Sequence, residues 1–228
     1  MAFASSQHTV KRFDVEIQQL VNLVLEMGQA VERQVSRAVA VFQAGDAEAA
    51  LEVIIGDREV NRWDMEIDRS CVRFLSRRQP MSTDLRLVMS LNKAVNDLER
   101  IGDEAKTIAE KTQAIHQRGV GLPGGVPDGV DRLAAIASQR IHSALDSLSR
   151  LDVEQAWTLV SAEDETDPLF QAILQSLSAS ALDGALAAAT VIDAAIALKA
   201  LKRVAERARN LAEYVIYIIE GQDIRHKM

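Results

Sequence analysis

Residues 91–108 read LNKAVNDLERIGDEAKTI. Within them Leu91, Val95, Leu98, Gly102, Ala105 and Ile108 recur at steps of three and four. That spacing sets them on one face of an α-helix. Gly102 and Ala105 are small enough to admit a neighbouring helix closely. The same run holds Glu99 and Asp103 four residues apart, so both carboxylates share a face. Two acids one turn apart repel by roughly a few tenths of a kcal/mol unless a positive group lies near. The pair is therefore either a solvated surface feature or a cation site.

Working outward, the preceding segment shows the same periodicity. Val53, Val60, Ile67 and Phe74 recur every seven residues, with Ile55, Trp63 and Cys71 broadening the face. Gly45-Asp46 reads as a helix stop followed by an N-cap. Gln79-Pro80, with Ser82 or Thr83 as cap, reads as a corner. The Gly/Pro-rich stretch 118–128 reads as a linker that divides the chain nearly in half. Helices are predicted over 8–43, 46–78 and 82–117, then over 129–150, 152–179 and 181–220. Pro168 should kink the fifth. The fold class is all-α: two tandem three-helix bundles, 8–117 and 129–221, with six long helices. Gly221 reads as the stop of the last helix.

The halves repeat. Asp46-Ala-Glu aligns with Asp152-Val-Glu, and Asp57 to Asn61 aligns with Glu163 to Asp167. After a deletion at the corner, Asp103 to Glu110 aligns with Glu206 to Glu213.

Composition agrees. Of 228 residues, 48% are hydrophobic but only 4% aromatic, which suits helix-on-helix packing. The net charge of −7 leaves no basic excess for general nucleic-acid binding. Cys71, the only cysteine, lies on the apolar stripe and reads as a core residue. Met1 to Val10 lacks the apolar region of a secretory signal. Residues 181–201 are apolar but interrupted by Asp183 and Asp193, so a buried helix is expected there and no membrane insertion. A cytoplasmic protein is expected.

Chemistry-bearing residues are sparse. His8, His116, His142 and His226 are scattered, with no pair at helical metal spacing. No phosphate loop, activated nucleophile or cofactor fingerprint is present, so no enzyme activity is expected. Glu-x-x-His, the usual signature of carboxylate-bridged di-metal bundles, is missing. Arg77, Arg78, Arg86 and Arg100 gather near the corner. Lys202, Arg203, Arg207 and Arg209 form a second basic run, partly balanced by Glu206 and Glu213. Tyr214 and Tyr217 read as packing residues with wet hydroxyls. If the second and third helices pack side by side, Asp57, Asn61, Glu99 and Asp103 face one another at the seam. Such an oxygen-only set suits Mg²⁺, Ca²⁺ or Mn²⁺, or iron with bridging ligands.

The run from Arg77 to Glu110 resembles the PhoU family of phosphate-signalling regulators. The resemblance rests on the Gln79-Pro80 corner, the Ser82-Thr-Asp-Leu-Arg86 helix start and the Leu98-Glu-Arg-Ile-Gly-Asp103 block. It implies paired acidic motifs associated with metal, including multinuclear iron or zinc. The metal's identity stays open. The first half departs from the family at Asn61, where an acid is usual. The second half keeps Glu163, Asp167 and Glu206 but places Lys202 where Glu99 stands. An ammonium repels cations, so Lys202 is expected to replace the metal in a salt-bridge cluster with those three acids. The resemblance further implies a homodimer that represses phosphate-starvation signalling and modulates phosphate uptake. It would do so by bridging a phosphate ABC transporter, through its ATPase, and a sensor histidine kinase. The alternatives are a metal-binding helical-bundle protein and a scaffold without a phosphate role.

Overall fold

The computed structural model describes residues 11–119, 127–184 and 186–224. The helix start at residue 8, the Met1–Val10 segment, His8, His226 and residues 120–126 of the linker lie outside the described residues. The helices are α1 (Lys11–Ala44), α2 (Ala47–Arg78), α3 (Ser82–Gln117), α4 (Val130–Arg150), α5 (Val153–Ser161), α6 (Thr166–Leu182) and α7 (Ala188–Glu220). Among the described residues there is no β-strand.

Local chemistry fixes several helix ends. Gly45 turns left-handed at φ +67°. Asp46 then caps α2, its carboxylate accepting from the amides of Glu48 at 3.1 Å and Ala49 at 3.0 Å. Asp152 caps α5 in the same way, accepting from the Gln155 amide at 3.0 Å. Gly221, left-handed at φ +73°, ends α7 and donates its amide to the Tyr217 carbonyl at 3.0 Å.

Three expectations are corrected. Neither Ser82 nor Thr83 caps α3. Met81 takes the extended N-cap position without a side-chain bond, Ser82 turns to φ +51°, and the Thr83 hydroxyl accepts from Arg86. The helix expected over 152–179 is two helices, which makes seven among the described residues in place of six. Pro168 is the third residue of α6, where its missing N–H removes no helical bond. The turn ahead of it, whose carbonyls the ring would hit, opens instead of kinking. There the Asp164 carboxylate accepts from the Thr166 amide at 3.1 Å and the Thr166 hydroxyl at 2.7 Å. The last helix starts at Ala188, not 181. Gly184, left-handed at φ +71°, closes α6, and Leu186 donates back to the Ser180 carbonyl at 3.1 Å.

α1, α2 and α3 pack together, and α4, α5 and α6 pack around α7. The halves join chiefly along α3 and α7, with α1 against α4 beside them. Fully buried side chains run through both, including Leu98, Ile101 and Ile108 in one half and Ile141, Ile173 and Leu198 in the other. Each such side chain stabilises by roughly 1.5–3 kcal/mol. On α2, Val53, Val60, Ile67, Cys71 and Phe74 are buried as their spacing predicts. Ile55 is not: it is 53% exposed, on the opposite face. Gly102 is a point of close approach within the first bundle. A Cβ there would lie 3.1 Å from Val60 Cγ1 and 3.3 Å from Gln34 Oε1.

Candidate functional site

The seam between α2 and α3 brings the first acidic set into one neighbourhood. Asp57 is only 2% exposed. Its Oδ2 accepts from the Asn61 side-chain amide at 3.1 Å and from the Lys106 ammonium at 3.2 Å. Lys106 is raised above its usual range, first by the hydrogen bond to Asp57 and then by that carboxylate's charge. Glu99 is half-buried and raised, first by burial and then by the charges of Asp103, Asp64 and Asp57. The four carboxylates therefore share one field, although Asp103 is exposed.

Asp64 is the member that the sequence reading passed over. It is raised by burial and then by Asp68. The signal was available: Asp57, Asn61, Asp64 and Asp68 recur at steps of four, three and four on one helix face.

A cation at this seam is what the resemblance implies, and in this structure the chain's own donors stand against Asp57 Oδ2. The Lys106 ammonium already holds Asp57 Oδ2, and Asn61 presents N–H to that oxygen where a ligand would present oxygen. Among the described residues no three His, Cys, Asp or Glu side chains gather closely enough to hold a metal ion.

The second set sits between α6 and α7. The Lys202 ammonium lies 2.6 Å from Asp167 and 2.6 Å from Glu206. Its side chain is only 16% exposed, and its pKa is raised by the hydrogen bonds to Asp167 first and Glu206 next. Glu163 was expected in this cluster and is not in it. The interruption ahead of Pro168 puts Glu163 outside α6, exposed, where helical register no longer aligns it with Asp167.

A third polar cluster, across α3 and α7, was not foreseen. Buried Asp97 accepts from the Tyr214 hydroxyl at 2.7 Å, from Arg207 at 3.2 Å and from the Asn210 amide at 3.4 Å. Glu104 faces Arg203 at 3.4 Å, and burial raises it despite that guanidinium and Arg207. Asp193 pairs with Lys111 at 3.1 Å and with Arg118. Burial pushes Asp193 up, but those two cations outweigh it and the net is downward. Of the basic run of α7, Arg203 and Arg207 thus face acids of the other half, while Lys202 faces acids of its own. Tyr214 is 7% exposed, so its hydroxyl is not wet as expected.

Other singled-out residues make contacts within the chain. Cys71 is buried, and burial, then Asp68, pushes its thiol to about 11, which makes it a core residue and a poor nucleophile. Arg78 grips Glu16 with two bonds of 2.7 Å and holds that carboxyl at about 2. Arg86 donates to the Ile218 carbonyl at 3.3 Å. His142 faces Glu32 at 3.3 Å. None of these is placed for bond chemistry. Among the described residues no helix is long and apolar enough to cross a membrane.

Comparison with known proteins gives a consistent result. The PhoU domain model matches residues 24–112 and again 130–215. A phosphate-specific transport system accessory protein PhoU homologue of Pseudomonas aeruginosa is 34% identical over 221 residues, covering 97% of this chain and 90% of its own. The phosphate-specific transport system accessory protein PhoU of Escherichia coli K12 is 31% identical over 225 residues, with the same coverage of 97% and 90%. The crystal structure of PhoU from Pseudomonas aeruginosa superposes with a TM-score of 0.84 at 33% identity, over 92% of this chain and all of that one. A phosphate transport system regulatory protein PhoU from Streptococcus pneumoniae shares the fold, with a TM-score of 0.83 at 22% identity over 92% and 98%.

Proposed function

The chain belongs to the PhoU family, and from that premise we propose that it is a cytoplasmic regulator of phosphate supply acting by protein contact. In this reading it holds down the phosphate-starvation response when phosphate is plentiful. It does so, as a homodimer, by linking the ATPase of a phosphate ABC transporter to a sensor histidine kinase. The observation that carries the reading is the double, nearly full-length match to phosphate transport accessory proteins. The chemistry supports contact over catalysis. Asp57, Asp97 and Lys202 are engaged in internal pairs, which hold long helices in place.

Within this reading the seams are stabilised by the protein's own cations. Lys202 takes the place of an ion between α6 and α7, and Lys106 performs the same task for Asp57 between α2 and α3. No step of the proposed mechanism runs through a metal.

A direct test is co-purification. The chain, mixed with the transporter's ATPase subunit or with the kinase's cytoplasmic portion, is expected to elute with each in size-exclusion chromatography. Separate elution from both would overturn the bridging reading.

A further inference from the structure

Three glycines lie inside helices among the described residues, and two of them have a neighbour that explains them. A Cβ on Gly28 would collide with Leu145, and one on Gly102 would press on Val60. Gly56, within α2, has no such reason: a Cβ there would meet nothing within 4 Å. A glycine inside a helix weakens it relative to alanine. Gly56 lines a cleft of about 360 Å³ between α1 and α2, and any side chain at that position would take up part of it. A cleft of this size falls within the range of small-molecule sites.

Gln34 of α1 lines the same cleft. It is only 8% exposed, yet neither its Oε1 nor its Nε2 has a hydrogen-bond partner among the described residues. A buried amide without partners is costly. By turning about its own side-chain bonds it would gain them from a ligand that offers one donor and one acceptor side by side.

The two walls of the cleft carry opposite charge. Arg33 and Arg37 stand one turn apart on α1, and Glu52 and Glu59 stand two turns apart on α2. All four are exposed, and none is in an ion pair among the described residues. A free phosphate would meet the two carboxylates, and a divalent cation would meet the two guanidiniums, so neither suits the cleft. A molecule that bears both signs uses each wall. Its carboxylate accepts from a guanidinium, and its ammonium donates to a glutamate. An uncharged carboxamide on the same molecule pairs with Gln34, donating to Oε1 and accepting from Nε2.

We propose that the cleft between α1 and α2 binds a free α-amino acid whose side chain ends in a carboxamide, with L-glutamine as the type. The amino acid's two charges meet the two walls, and its amide satisfies the buried amide of Gln34. L-Glutamate is the informative contrast. Its side-chain carboxylate accepts from Nε2 but sets oxygen against Oε1.

The test is isothermal titration calorimetry of the full chain with L-glutamine, with L-glutamate and inorganic phosphate as comparison ligands. Glutamine is expected to bind saturably and to raise the melting temperature. Glutamate should bind about tenfold more weakly or worse, because it leaves the Gln34 carbonyl unmet. Gly56→Leu fills the cleft and removes a helix-interior glycine, and Gln34→Met removes the orphan amide at similar volume. Both variants should therefore melt no lower than the parent chain. Each should weaken glutamine binding about tenfold or more. Circular dichroism checks each fold, and either folded variant decides the matter. Absence of heat and of any melting shift with glutamine overturns the proposal. So does glutamate binding as tightly as glutamine, or glutamine binding unchanged in a folded variant. Phosphate binding more tightly than glutamine would mean that the arginines act alone, and would overturn it as well.

Discussion

Asp97 shows what a buried carboxylate requires. Three donors from α7 surround it, and the strongest by distance is the Tyr214 hydroxyl at 2.7 Å. Tyr214→Phe removes one hydrogen bond to a charged acceptor and should cost about 1.5–3 kcal/mol in urea denaturation. Asp97→Ala leaves Arg207 and Tyr214 without their acceptor and should cost about 3 kcal/mol or more. Equal, small losses for both would mean that the cluster is solvated. Glu99 is the opposite case, a carboxyl whose folded pKa is raised by burial and by neighbouring acids. Its charge is a net cost at neutral pH, and the cost disappears as pH falls through the folded pKa and below the unfolded one. Glu99→Gln should therefore raise stability by roughly 0.3–0.5 kcal/mol at pH 7 and change nothing near pH 3. A gain that persists in acid would contradict the electrostatic account. The lysines give a third test. If Lys106 and Lys202 stand in for an ion, the full chain carries far less than one metal per molecule by elemental analysis, and chelator leaves its melting temperature unchanged. Tight stoichiometric metal would refute the substitution. Sequence alone exposed Lys202, because it stands in register with Glu99. Lys106 was hidden, because its partner lies 49 residues away on another helix.

At the scale of elements, legibility followed locality. Asp46, Gly45 and Gly221 act within a few residues of themselves, so their roles were readable from neighbours in the chain. The start of α3 was not, because Met81 caps through backbone conformation and carries no signature side chain. Pro168 was recognised as a disruption, but its outcome depended on Asp164, which offers the next helix an alternative start through Thr166. Glu163 was misplaced for the same reason, since a four-residue spacing has meaning only inside an unbroken helix. Gly102 was read as a point of close approach, and the structure sets it against Val60 and Gln34. Gly102→Val should therefore cost about 2 kcal/mol through overpacking, read as a drop in denaturation midpoint without a change in slope. A neutral result would mean that α2 and α3 are free to separate there.

Across the whole molecule, the repeat was visible in sequence but the way the halves meet was not. The bundles join along α3 and α7, where Asp97, Glu104 and Asp193 each face cations from the other half. No local pattern marks such pairs, because the partners are brought together only by the docking of the halves. Two members of the basic run on α7, Arg203 and Arg207, are paired across that seam. The central claim is that this molecule restrains the phosphate-starvation response, and alkaline phosphatase activity in high phosphate tests it most directly. In cells lacking the chain the activity should be constitutive, and returning the chain should restore repression. Repression unchanged by its loss would contradict the account.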